Sequence, residues 1–377
     1  RMPGSELVLL VTAHHIVADG LCVPLIRDAL AAAYAGRHTK RPELQYADFA
    51  RWQREALSEQ TVQAQLAWWR ARLAGHTGQP LAGIQSVNSS ATEINTREVR
   101  LPFVIGAAVA DQLRALATAA GVTPFMLLLA AWRVWLQRCY GESDLLIGSP
   151  VTLRRDDSTA GMLGCMVNNV VFRNQIEAGQ NFTAALQAER QAALATYDHS
   201  ELPFEQIVEA LQPERHFGRH PLFQIMFMFE DRSAPPVDVN GVQFATDVLP
   251  VDRASYWDME LSVTDCGAGQ HMPAFMGVRE DLFDTQALKW WPEGFSAMLE
   301  TIVANPSTAL EDLPLLSHTQ RQTILAEWND AGMPVDPAQT LHGLVEAQCL
   351  RTPANLALSD AVESLSYSEL NARAGRY

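Results

Sequence analysis

The chain opens on an apolar run, Leu7 to Val11, that gives way at once to the polar positions His14, His15 and Asp19. A short, branched apolar run predicts a buried strand. The next segment, Val23 to Ala35, carries Val23, Leu25, Ile26, Leu30 and Tyr34 at helical spacing. The two histidines are therefore expected on a strand-to-helix loop, where a rigid scaffold presents reactive groups. Tyr46 to Leu73 predicts one long amphipathic helix anchored by Tyr46, Phe49, Trp52, Trp68 and Trp69. Gly75 to Ser90, rich in Gly, Ser, Asn and Pro, predicts a loop joining two units.

Thr96 to Phe103 predicts a weak strand. Val109 to Ala120 and Pro124 to Cys139 predict two helices, the second apolar on most sides and so buried. Asp144 to Val151 predicts a buried strand, with Arg154 and Arg155 just beyond it. Gly161 to Arg173 predicts a loop and then a strand, followed by helices over Phe182 to Tyr197 and Phe204 to Leu211. Four short strands follow, Leu222 to Phe229, Val242 to Val248, Trp257 to Thr264 and Ala274 to Val278, each bounded by Gly, Pro or Asp. A helix over Thr285 to Ala304 closes the set. This order predicts an α/β (α+β) fold, a mixed sheet with packed helices. Beyond it come a short helix, Gln320 to Trp328, the linker NDAGMPVDPAQT and a new unit from Leu341 to Tyr377.

The 377 residues carry a net charge of −15 with no basic block, which argues against nucleic acid or anionic membrane as a partner. Cys22, Cys139, Cys165, Cys266 and Cys349 are scattered without CxxC spacing and read as reduced thiols of a cytoplasmic protein. The longest apolar run, Pro124 to Leu136, is broken by Arg133 and falls short of the ~20 residues of a membrane span. The opening RMPGSEL is not a signal peptide, and both ends read as cut. The chain is expected to be a piece of a longer polypeptide.

The chemistry on the first loop is that of a base. His15 accepts a proton near neutral pH. Asp19, four positions on, either orients that ring or makes an ion pair that holds the loop. Gly20 allows a tight turn and leaves its N–H open to an approaching oxygen. No metal is expected, because adjacent histidines on a strand point to opposite faces and no further His/Cys cluster completes a ligand set. Cys22 is near in sequence, but no other cue makes it a nucleophile.

HHIVADG, residues 14–20, resembles the HHxxxDG signature of the condensation domains of nonribosomal peptide synthetases, shared more widely by the chloramphenicol-acetyltransferase-like fold. Further stretches resemble that family in order. YADFARW is similar to YxDFAxW, and IGSPVTLR to the strand whose last arginine, Arg154 here, pairs with the motif aspartate. GMLGCMVNNVVFR is similar to IGxFVNT with Asn168 retained; DHSELPFEQIV to HQDxPFE with His199, Pro203, Phe204 and Glu205 retained. ERHFGRHPLFQ is similar to RDxSRNPLFQ with Arg215, Arg219 and Gln224 retained. LHGLVEAQCLRTPANLAL and LSYSELNARAGR resemble the opening of an adenylation domain. Departures are Leu21–Cys22 for Trp–Ser, Ser200–Glu201 for Gln–Asp, and His216 for Asp.

The resemblance implies a two-lobed fold: residues 1–86 as the remaining part of the N-terminal lobe, 87–316 as the C-terminal lobe, 317–340 as a linker and 341–377 as the truncated start of an adenylation domain. It implies amide formation between two carrier-bound acyl groups, with His15 catalytic and Gly20 N–H donating to the oxyanion. His14, Asp19 and Arg154 would support the site, and Asn168 would line the substrate channel. No cofactor is bound directly: the substrates ride on phosphopantetheine arms of partner carrier domains, and ATP and Mg belong only to a complete adenylation domain. Upstream and downstream carriers and the adenylation domain are the implied partners. An epimerisation-type domain, a noncatalytic carrier-binding domain of the same fold, and a CoA-dependent acyltransferase are the alternatives.

Overall fold

The structure, a computed structural model, describes residues 7–39, 42–76, 97–213, 219–232, 236–246, 254–330 and 340–376. It divides into two compact units, 1–320 and 321–377.

In the first unit, α1 (Cys22–Tyr34), α2 (Tyr46–Ala56) and α3 (Glu59–Leu73) precede β1 (Glu98–Ile105). Then come α4 (Ala107–Ala120), α5 (Pro124–Tyr140), β2 (Asp144–Thr152), α6 (Asp157–Ala160), β3 (Val167–Gln175), α7 (Phe182–Tyr197) and α8 (Phe204–Leu211). The strands β4 (Ile225–Asp231), β5 (Val237–Val239), β6 (Val242–Phe244), β7 (Met259–Asp265) and β8 (Met272–Arg279) lead to α9 (Trp291–Ala304) and α10 (His318–Gln322). Six strands form one mixed sheet in the order β1-β8-β7-β4-β2-β3. The β2–β4 and β4–β7 pairings are parallel and the others antiparallel. The parallel joint is tight: a Cβ on Gly148 would lie 2.1 Å from the Phe223 ring, so only glycine fits there.

The core lies between this sheet and α3, α4, α5, α7 and α9. The helix α5 is buried all round from Met126 to Leu136, as its unbroken apolar run requires. Thr123 caps its N-terminus by accepting from Met126 N–H, Pro124 takes the first turn, and Gly141 ends it at φ 74°. Phe295 of α9 stands edge-on to both Trp132 and Trp135 of α5. Each of these fully buried rings contributes ~1.5–3 kcal/mol by leaving water. Among the described residues no single helix is long and apolar enough to cross a membrane, and the α4–α5 pair is bent by 104°.

Four expectations are corrected. Leu7–Val11 is not a strand: no described strand pairs with it, so it has neither a ladder nor a face to bury. Its side chains are exposed, from 76% at Leu7 to 54% at Val11. The single long helix over Tyr46–Leu73 is two, because Leu57 leaves helical geometry and Ser58 starts α3 by accepting from Thr61 N–H. Of the strand expected over Val242–Val248, residues 242–244 form β6, paired with β5 outside the main sheet, while 245–246 are not strand and 247–248 lie outside the described residues. The helix expected from Gln320 starts at His318 and turns π-helical over Thr323–Glu327. The expected lobe boundary at residue 86 lies outside the described residues. The described segments on either side share one core, which takes Leu66, Trp69 and Leu73 from α3.

The second unit holds α11 (Leu341–Arg351), a β9 (Leu356–Ser359)–β10 (Ser364–Ser366) hairpin and α12 (Tyr367–Ala374). Ser366 and Glu369 cap α12 reciprocally. Many of its apolar side chains are exposed, including Leu341, Leu344, Val345, Leu356 and Leu358.

Candidate functional site

His14 and His15 lie where the chain turns into α1. His14 caps a short 3-10 turn over His15–Val17, its Nδ1 accepting from Ile16 N–H at 3.2 Å. That leaves His15 exposed. One turn later the chain dives inward, and Asp19 is only 4% exposed.

Arg154, just past the end of β2, donates to Asp19 Oδ2 at 2.5 Å. The same oxygen accepts from Met166 N–H at 2.9 Å, and the Cys22 thiol donates to Oδ1 at 3.4 Å. Arg154 also donates to the carbonyls of Met162 and Gly164, each at 3.2 Å. Three segments distant in sequence are thus tied at one buried ion pair: the histidine loop, the end of β2 and the approach to β3. Burial acts to raise the Asp19 carboxyl; the Arg154 hydrogen bond and charge and the Met166 amide outweigh it and hold the group below the ordinary carboxylate value. Asp19 is therefore a carboxylate at neutral pH and serves the loop, not the imidazole.

The group that does meet the imidazole is Cys165, whose Sγ lies 3.6 Å from His15 Nδ1. Its carbonyl accepts from the Tyr46 hydroxyl at 3.1 Å, which joins the YADFARW helix to the site. Sequence reasoning missed Cys165, although it fills the variable position between Gly164 and Met166 of a stretch already singled out. Cys22 is 1% exposed and bridges Asp19 to Gly164.

Gly20 is exposed at the start of α1. Its φ is not positive, and a Cβ there would meet nothing within 4 Å. The described protein around it therefore does not require glycine.

Asn168 is 8% exposed on β3. Its Nδ2 donates to the carbonyls of Ser200 and Leu202, each at 2.8 Å, and its Oδ1 accepts from Phe204 N–H at 3.0 Å. It clamps the turn that opens α8. His199 stacks on Trp68 at 3.9 Å between centroids and is held by backbone. Arg155 pairs with Glu201 at 3.0 Å, so the Ser200–Glu201 departure has structural partners here. Arg219 faces Asp258 at 3.9 Å, while Arg215 and His216 lie outside the described residues. A cavity of ≈ 380 Å³ is lined by Phe49, Trp52, Leu153, Arg155, Thr159 and Met162, among others; neither His15 nor Gly20 lines it. Its lining holds no imidazole or thiol. No cluster of metal-ligating side chains occurs among the described residues.

This sheet, with a histidine loop pinned to its β2 end through a buried Asp–Arg pair, defines a class. The model of the condensation domain matches residues 1–325, and the chain belongs to that family, with its chloramphenicol-acetyltransferase-like α/β fold. It is 31% identical over 383 residues to one of the proteins that make up the linear gramicidin synthase of Brevibacillus parabrevis, an alignment covering 99% of this chain and 5% of that protein. It is 29% identical over 375 residues to tyrocidine synthase 3 of the same organism, covering 98% of this chain and 6% of the relative. The chain thus spans a small part of the curated relatives it matches. Among solved structures it resembles a four-domain nonribosomal peptide synthetase bound to AMP and glycine, with TM-score 0.70, 21% identity and coverage of 95% of this chain and 28% of that one. The first condensation domain of the calcium-dependent antibiotic synthetase, in complex with a substrate analogue, gives TM-score 0.64 at 19% identity, covering 81% and 66%. These two likenesses concern the fold.

Proposed function

We propose that this chain is the condensation domain of a nonribosomal peptide synthetase, joining a donor acyl or peptidyl thioester to the amine of an acceptor aminoacyl thioester. The observation that carries this reading is the pinned loop: Asp19 and Arg154 hold it from below while His15 stays open to solvent. A neutral amine attacking a thioester gains positive charge on nitrogen and builds negative charge on oxygen. His15 takes the amine proton, a step worth ~10²–10⁴-fold. Holding two tethered substrates head-on supplies a further share of the acceleration. Gly20 N–H donates to the developing oxyanion. In this reading Asn168 shapes the substrate channel through the Ser200–Phe204 turn it clamps. The substrates arrive on the phosphopantetheine arms of carrier domains, and residues 341–377 open an adenylation domain in the same polypeptide. A cytoplasmic setting agrees with five free thiols.

The test is amide formation between two loaded carriers in the synthetase that contains this chain. His15→Gln should lower product formation by about 100-fold or more, in line with loss of a general base, while both carriers remain loaded. Gly20→Ala should leave the melting temperature unchanged, since a Cβ has open space there, yet lower the rate if substrate passes close to this backbone. Normal product from His15→Gln would remove the base assignment. Binding of both carriers without product from the unaltered protein would instead make it a carrier-binding module.

A further inference from the structure

A base that works on one nitrogen needs something to hold its ring and choose its tautomer. A neutral imidazole carries one N–H and one lone pair, and the partner of one nitrogen decides what the other does. The obvious orienting group, Asp19, is otherwise engaged. Its Oδ2 accepts from Arg154 and Met166 N–H, and its Oδ1 accepts from Cys22.

Cys165 is placed to do that work. Its Sγ lies 3.6 Å from His15 Nδ1 and it is half-buried. Its backbone is held on both sides. Gly164 O accepts from Arg154, Cys165 O accepts from the Tyr46 hydroxyl, and Met166 N–H donates to Asp19. The backbone that carries the sulfur is thereby held by the same buried ion pair that fixes the loop.

We propose that Cys165 is the positioning residue of His15: its sulfur accepts the Nδ1–H, which fixes the ring and leaves the lone pair on Nε2. The inference rests on the reading of His15 as the base. In the step it serves, the amine N–H breaks and Nε2–H forms, so the ring becomes an imidazolium that keeps its Nδ1–H on the sulfur. The new C–N bond forms, the thioester C–S bond breaks, and the proton passes from Nε2 to the leaving thiolate. Cys165 touches no reacting atom; it acts through His15.

The experiment compares Cys165→Ala, Cys165→Ser and His15→Gln in the condensation assay with both carriers loaded. Cys165→Ala should lower kcat about 10-fold, a part of the full effect of the base, with KM for each loaded carrier unchanged. Cys165→Ser should recover most of the loss, because a hydroxyl also accepts from Nδ1–H. Long-range ¹H–¹⁵N spectra of the 377-residue chain should show His15 as the Nδ1–H tautomer, and a mixture of tautomers in Cys165→Ala. Equal melting temperatures separate these effects from loss of fold. Wild-type kcat in Cys165→Ala, failure of serine to improve on alanine, or an unchanged tautomer in Cys165→Ala would overturn the proposal. A collapse in His15→Gln alongside a normal Cys165→Ala would end this proposal alone. Normal product from His15→Gln would end the base reading as well.

Discussion

Asp19 and Arg154 lie 135 positions apart in the chain, yet neither has more than 5% of its side chain exposed. Removing one partner leaves a buried charge unpaired, which costs about 3–5 kcal/mol. Asp19→Ala and Arg154→Ala should each lower the melting temperature by several degrees, and the double variant should lose less than the sum of the two. The pair also carries a pH signature. The native carboxyl lies below its ordinary value of 3.8, so its contribution is present above that value and fades as pH falls through the lower native one. The stability gap between wild type and Asp19→Asn should therefore be wide at about pH 7 and narrow as pH falls below the ordinary carboxylate value of 3.8. An additive double-mutant cycle, or a gap independent of pH, would remove the ion pair from the account. At this scale the sequence displayed the histidines, the aspartate and, by resemblance, the arginine. The residues alone left Asp19 open between ring and ion pair, and the resemblance assigned it to Arg154; only the fold shows that Met166 N–H converges on the same oxygen. Cys165 was invisible for the same reason: its contact with His15 joins positions 150 apart.

At the scale of elements, α5 shows how a residue can mislead when read alone. Arg133 breaks an apolar run, and in a line of sequence it marks where a membrane span fails. In the fold it is 1% exposed, and Glu189 of α7 accepts from its Nε at 2.7 Å. Its Nη2 also donates to Glu189 at 3.2 Å, and Nη1 and Nη2 serve the carbonyls of Leu145 on β2 and of Phe172 and Asn174 on β3. One guanidinium thus joins α5 and α7 to the two strands at that end of the sheet. Arg133→Met should destabilise the protein by about 3–5 kcal/mol, because Glu189 is left buried without its cation. Replacing both, Arg133→Met with Glu189→Leu, should recover much of that loss in a urea titration; a double variant as unstable as the single would contradict it. Helices with one apolar face and firm caps were legible, and α7 and α8 begin and end where their periodicity does. Leu7–Val11 was not, because β-branching and apolar content predict a strand only if another strand is there to pair with it. The break at Leu57–Ser58 was hidden because both halves keep a helical pattern and one capping serine is a small signal.

For the molecule as a whole, the division into two units falls at 320/321, inside the expected linker of 317–340. The first unit has a continuous core under a six-stranded sheet. The second has a π-helical turn, the helices α11 and α12 and a hairpin, with Cys349 its single buried hydrophobic side chain among the described residues. Leu341, Leu350 and Val362 of that unit are each at least 85% exposed. A unit this short that buries so little apolar surface has almost nothing to offset the entropy of ordering its chain. The segment from Asn329 to Thr340 holds two prolines, a glycine and two aspartates, a composition that a protease reads as accessible chain. Limited proteolysis should therefore cut first between Asn329 and Gln339. The longer fragment should persist and keep the melting temperature of the intact chain, since the sheet, the core and the Asp19–Arg154 pair all lie within it. The shorter fragment should be degraded further, not accumulate. Mass spectrometry of the time course checks both. Early cutting within β1 to α9, or a long-lived fragment from 340 onwards, would show that the cooperative unit is drawn in the wrong place.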